Sequence, residues 1–143
     1  MKVLYITDPR SVGGATKSLM DMITAMRDMG VECIVCTSVV NELNEWLTEE
    51  GITNFACGYY SAMEVPSTYK WKNLIRYIKY KMLYIMHEES ALKKIETEVD
   101  LESIDLIHTN SARNDIGCLI NRKYRIPHIM HIREFGKEDF SCW

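Results

Sequence analysis

Three short polar clusters interrupt an apolar-rich chain of 143 residues: Gly13-Gly14-Ala15-Thr16, His108-Thr109-Asn110-Ser111 and His131-Ile132-Arg133-Glu134. Each could do chemistry. Two glycines opening a helix leave backbone N–H groups and the positive end of a helix dipole available to an anion. Histidines at 108 and 131 are candidate catalysts, and Arg133 with Glu134 sets opposite charges side by side. Taken singly, each cluster has a plainer reading. A glycine pair can simply turn the chain tightly between strand and helix. A histidine closing a strand is more often a hydrogen-bonded structural residue than a catalyst, and a surface Arg–Glu pair is worth little. The glycine cluster is neither a GxGxxG fingerprint nor a GxxxxGK[ST] phosphate loop.

What could bring the three clusters together is an alternation of strands and helices. Lys2 to Ile6 reads as a buried strand ended by Asp8-Pro9, and Leu19, Met22, Ile23 and Met26 recur at the spacing of a core-facing helix. Gly30 follows that helix as a C′ residue commonly does. Met20, Met22, Met26 and Met29 read as core packing. Val31 to Thr37 is a second strand; Asn41 caps a short helix with Leu43, Trp46 and Leu47 inward, and Gly51 closes it. Ile52 to Cys57 is a third strand, residues 58–68 a loop, and about Tyr69 to Val99 a long helix. Ile104 to His108, a helix over Asp115 to Lys123 with Ile116, Leu119 and Ile120 inward, and Ile126 to Ile132 complete the pattern.

Near-continuous apolar strands alternating with helices predict one α/β domain over residues 1–143. The layout is a Rossmann-like parallel sheet of about five strands, order 3-2-1-4-5, with helices on both faces. In such sheets ligands bind beyond the carboxyl ends of the strands, near the point where strand order reverses. The loops after strands one, four and five carry the three polar clusters. Gly14, Asn110, His131 and Arg133 are therefore expected to line one cleft.

Composition removes several alternatives. A formal charge of −3, from 17 Lys plus Arg against 20 Asp plus Glu, argues against a nucleic-acid partner. No apolar run approaches the roughly 20 residues of a spanning helix, and the N-terminus is too soon broken for a signal peptide, so a cytoplasmic location is expected. Cys33 and Cys36 are spaced as a CxxC, but in a strand residues three apart point to opposite faces, so they should share neither metal nor bridge. No second Cys/His pair completes a zinc site. Buried reduced thiols are the expectation.

Together, Lys2-Val3-Leu4-Tyr5-Ile6 with Gly13-Gly14-Ala15-Thr16-Lys17-Ser18-Leu19 resembles the N-terminus of family four glycosyltransferases, two-domain enzymes of the GT-B type. Ile107-His108-Thr109-Asn110-Ser111, followed by Ile126-Pro127-His128-Ile129-Met130-His131-Ile132-Arg133-Glu134-Phe135, is similar to a polysaccharide-assembling branch of that family. The resemblance implies half of a GT-B fold, the acceptor-binding half of a retaining, metal-independent enzyme. Such an enzyme uses no cofactor and takes a nucleotide-sugar as donor substrate and a saccharide or lipid-linked saccharide as acceptor. It further implies that Gly13 and Gly14 approach the donor phosphates and the transferred sugar. His131 matches the active-site histidine, and Thr16, His108, Asn110, Ser111, Arg133 and Glu134 fall in the matching motifs as substrate-binding positions. The carboxylate motif and phosphate-clamping cations of the family's second domain have no counterpart here. The resemblance therefore implies a truncated domain, or one half of a split enzyme, that does not turn over alone and needs the missing C-terminal domain or a partner chain.

The stretch Tyr69 to Tyr84 carries five Lys or Arg, no acid, four tyrosines and Trp71. Trp71, Leu74, Ile75, Ile78, Met82 and Ile85 form a stripe, expected to pack on the sheet because a crossover helix needs a core face. The flanking basic and aromatic residues keep open a peripheral contact, through residues 69–85, with the inner face of the plasma membrane. Self-association or partner binding is expected near residues 133–143, through Phe135, Phe140 and Trp143. Two other functions fit the alternating pattern: a non-catalytic subunit of a split glycosyltransferase, and a receiver- or flavodoxin-like binding domain. Against the receiver, Asp8 is followed by Pro9 with no acidic neighbour.

Overall fold

The computed structural model describes residues 1–8, 13–59, 70–111 and 115–132. Five strands and four helices alternate: β1 (Lys2–Thr7), α1 (Gly14–Asp28), β2 (Glu32–Thr37), α2 (Glu42–Glu49), β3 (Thr53–Ala56), α3 (Lys70–Glu98), β4 (Leu106–Thr109), α4 (Ile116–Tyr124) and β5 (His128–Met130). All pairings are parallel, and the strand order is β3-β2-β1-β4-β5. This is the α/β Rossmann-like arrangement that the alternation predicts.

Two cores sit on opposite faces of the sheet. Val3, Tyr5, Cys33 and Val35 point toward α1 and α2, where Leu19, Ile23, Leu43 and Leu47 are fully buried. Leu4, Ile6, Ile34, Cys36 and Ile107 point the other way and meet Ala91, Ile95, Ile116 and Ile120 of α3 and α4. Consecutive residues of β1 thus feed different cores, which is the period-two alternation of a strand buried on both sides. Cys33 and Cys36 accordingly belong to separate cores. Cys36 instead lies beside Cys57, the sulfurs 3.0 Å apart and both thiols free, because β2 and β3 run in register.

Local chemistry sets the element ends. The Asn41 side chain accepts from the Leu43 N–H at 2.9 Å, and Asn44 returns a bond to the Asn41 N–H, a reciprocal cap at the start of α2. Gly51, at φ +67, closes it. A single 3-10 turn, Leu101–Ser103, precedes β4 and is capped by Asp100. The expected strand start at Ile104 therefore moves to Leu106, although Ile104 is buried.

Two packing expectations are corrected. Met29 is 69% exposed, since it stands at the C-cap of α1 beyond the last turn facing the sheet; Met20, Met22 and Met26 do pack on the core. On α3, Ile75, Ile78 and Met82 do not pack on the sheet but are exposed; the core face of this helix is Ala91, Leu92, Ile95 and Val99. At about 1.5 Å per residue a 29-residue helix spans roughly 43 Å, whereas strands of three to six residues span roughly 10–20 Å. The sheet can cover only part of it.

Candidate functional site at the carboxyl edge of the sheet

β1, β4 and β5 run in the same direction, so the residues that follow each of them meet at one edge. Gly13 and Gly14 follow β1 and open α1, Asn110 and Ser111 follow β4, and His131 follows β5. The edge is sewn together by backbone bonds: Asn110 N–H donates to the Ile6 carbonyl at 2.8 Å, and His131 N–H to the Thr109 carbonyl at 2.8 Å. The Asn110 side chain, itself buried, reaches the Ala15 carbonyl at 3.4 Å and the Thr7 hydroxyl at 3.5 Å. It straps the first turn of α1 to the ends of β1 and β4. Thr16 is buried in that same turn. Arg133 and Glu134 lie outside the described residues, as do Phe135, Phe140 and Trp143.

The glycine pair has an unusual standing. Gly13 has φ −90, and Gly14 does not belong to the positive-φ glycines, which are Gly30, Gly51 and Gly58. A Cβ built on either would meet none of the described residues within 4 Å. Among the described residues, neither backbone conformation nor packing requires glycine at 13 or 14. Both residues are exposed. α1 also starts without a side-chain cap on its N-cap residue and without an acid in its first turn, so its dipole end meets no carboxylate from its own sequence.

The histidines are arranged in series. Tyr5, His108 and His131 form a line of edge-to-face rings, with centroids 5.4 Å apart for the first pair and 5.9 Å for the second. Tyr5 and His108 are buried, whereas His131 is exposed at the edge. His108 thus packs behind His131 and fixes one side of its ring. Next to this line, Ser111 has φ +148, a conformation that L side chains rarely adopt and that costs on the order of 1–3 kcal/mol.

A second histidine cluster sits on the other face of β4 and β5. His128 Nε2 lies 2.8 Å from the Thr109 hydroxyl, and Nδ1 lies 3.8 Å from the Cys118 sulfur. Burial holds the His128 imidazole below its ordinary pKa and so favours the neutral ring. α4 comes this close because Gly117 lacks a side chain: a Cβ there would stand 2.7 Å from His128 Nε2 and collide with the Thr109 hydroxyl. The sequence contains no signal for this cluster beyond a glycine inside an amphipathic helix. At the end of β2 and beyond β3, Ser38 donates to Asp8 and the Tyr59 hydroxyl to the Thr7 carbonyl, which ties down the remaining strand ends. Among the described residues, no group of three His, Cys, Asp or Glu could hold a metal ion.

The fold and this edge define a Rossmann-like α/β domain whose polar clusters gather where such sheets bind ligands. Solved structures of other proteins superpose on it at low identity. HepE (Alr3699) from Anabaena, determined with UDP and glucose, superposes with a TM-score of 0.59 at 17% identity over 94% of this chain and 30% of its own. MurG from Acinetobacter baumannii gives 0.57 at 12% identity over 99% of this chain and 39% of its own. A glycosyltransferase from Rickettsia africae gives 0.52 at 14% over 90% and 28%. The chain therefore spans about a third of the length of the proteins it superposes on. No family model and no curated protein sequence matches it.

Proposed function

We propose that this chain is the acceptor-binding half of a retaining glycosyltransferase of the GT-B type, in the polysaccharide-assembling branch of family four. It would work with a second half that holds most of a nucleotide-sugar donor. The observation that carries the reading is the exposed pair Gly13-Gly14, which nothing among the described residues requires to be glycine. Space kept clear at a helix start suits a ligand that approaches the backbone, and an anionic one suits the uncapped dipole end. Neighbours solved with UDP and glucose, or with UDP-glucose, are consistent with a sugar nucleotide as that ligand.

In this reading Gly13 and Gly14 admit the donor phosphate and the transferred sugar, and His131 holds a sugar or acceptor hydroxyl. The ring line through His108 to Tyr5 preorients His131, so little reorganisation is needed as charge develops. One such oriented donor is typically worth about 3–4 kcal/mol of transition-state stabilisation. Asn110 positions α1 rather than touching substrate, and Ser111 supplies its strained backbone beside the same edge. Departure of a nucleotide also needs cations against the developing charge, and these would come from the second half.

The test is reconstitution with a homologous donor-binding half. Transferase activity should appear and fall by about two to three orders of magnitude in His131→Ala. Gly14→Val should impair donor use with the fold intact. The chain alone should bind a nucleotide sugar weakly; micromolar binding by calorimetry, or full activity in reconstituted His131→Ala, would overturn this division of roles.

A further inference from the structure

The N-terminal half of α3 carries an apolar stripe on the wrong side for a core. Ile75, Ile78, Met82 and Met86 are 58%, 50%, 59% and 68% exposed. At 100° per residue they fall within an arc of roughly 80°, while Ala91 and Ile95, the buried residues of the same helix, lie roughly 140–180° away. Further along the line of the stripe, α3 becomes polar at Glu89, Lys93 and Thr97, all exposed. The stripe is not a core face running off the end of the sheet. It is a separate apolar surface, about 16 Å long from Ile75 to Met86.

Charge says what could cover it. From Lys70 to His87 the sequence has five Lys or Arg and no Asp or Glu. With the whole chain at −3, this segment is +5 and everything else together −8. Lys79 and Lys81 are exposed, one to each side of the stripe. Long lysine stems flanking an apolar strip suit a boundary that is apolar on one side and anionic at its edge. No helix of the described residues is long and apolar enough to cross a membrane. The surface is built to lie on a bilayer rather than to enter one.

We propose that α3 docks this chain on an anionic lipid surface, with Ile75, Ile78, Met82 and Met86 seated at the headgroup–acyl boundary and Lys79 and Lys81 against lipid phosphates. The proposal does not depend on the glycosyltransferase reading, because it concerns a different face and is tested without donor or acceptor.

The experiment is co-sedimentation of the 143-residue chain with phosphatidylcholine vesicles, with and without about 30% phosphatidylglycerol. Binding to the anionic vesicles should exceed binding to the neutral ones by at least about tenfold and weaken as salt is raised, since each cation near an anionic surface contributes substantially. Ile78→Asp/Met82→Asp and, separately, Lys79→Glu/Lys81→Glu should each lower it by about tenfold or more. All four positions are exposed, so an unchanged circular dichroism spectrum is expected and shows that folding is intact. Equal binding to both compositions, no binding, or retention of binding by either variant would overturn the proposal. So would a dimer, seen by sedimentation velocity without vesicle binding, that Ile78→Asp/Met82→Asp dissolves: the stripe would then serve a second copy of the chain.

Discussion

Alanine at Gly14 and alanine at Gly117 should move stability in opposite directions, although both glycines lie in helices. Each replacement gains helix propensity, about 0.5–1 kcal/mol in a helix interior and less in a first turn. At Gly14 the added methyl meets none of the described residues within 4 Å, so the gain stands, between zero and about 1 kcal/mol. At Gly117 the methyl would run into the Thr109 hydroxyl and stand 2.7 Å from His128 Nε2. Those two groups hold each other at 2.8 Å, and Thr109 is fully buried, so neither swings aside without breaking the bond. Overpacking costs about 1–3 kcal/mol and a lost hydrogen bond about 1 more, against a propensity gain of about 1. The net expectation is a loss of about 1–3 kcal/mol. For a chain of this length 1 kcal/mol moves the melting temperature by about 3 °C, so thermal melts of the two variants should differ by about 3–12 °C. Urea titration followed by circular dichroism gives the same comparison as free energies. Destabilisation by Gly14→Ala of more than about 1 kcal/mol would show that the fold needs that glycine after all. A neutral Gly117→Ala would refute the close approach of α4 to β4 and β5.

Three further outcomes are expected. Because burial lowers the folded pKa of His128, the folded state binds fewer protons than the unfolded one below about pH 6.5; stability should be full above that pH and decline as pH falls through the lowered value, and His128→Gln should flatten that part of a urea-midpoint profile. Burial first, and then the Cys57 thiol beside it, holds the Cys36 thiol well above its ordinary pKa, so under native conditions iodoacetamide should modify the partly exposed Cys118 well before Cys36, as read by peptide mass mapping; rapid labelling of Cys36 would contradict its place in the core. Ser111→Gly relieves a φ of +148 and should stabilise the domain by about 1 kcal/mol in urea titration, whereas a destabilised variant would mean that the Ser111 side chain contributes more than its backbone costs.

Strand order and the placement of Gly13-Gly14, Asn110-Ser111 and His131 at one edge were legible because right-handed parallel crossovers leave few arrangements of five apolar strands. The separation of Cys33 from Cys36 followed from strand period alone. The pairing of Cys36 with Cys57 did not, since it depends on the register of β2 on β3, which neither strand's own pattern specifies. The stripe on α3 shows the same limit: periodicity reveals that an apolar line exists, not which side the sheet lies on. Burial divides the candidate site in a way that residue type does not announce. Gly13, Gly14 and His131 are exposed, whereas Thr16, His108, Asn110 and Ser111 are buried behind them. The cluster of Thr109, His128 and Gly117 depends on how closely a helix approaches a strand, a distance of a few ångströms that no sequence pattern encodes.

The alternation of side chains along β1 turns the sheet into a partition. Tyr5 and His108, which stand behind His131, belong to the side of α1 and α2, while Leu4, Ile6 and Ile107 face α3 and α4. Substitutions on opposite sides of a sheet share few neighbours, so their effects should add. A lineage carrying this fold could therefore recompose the compartment under α3 and α4, or reshape α3 itself for a different surface, while the row of rings leading to His131 stayed undisturbed. The side of α1 and α2 has no such freedom, because a change in volume beneath Tyr5 is passed ring by ring to the sheet edge.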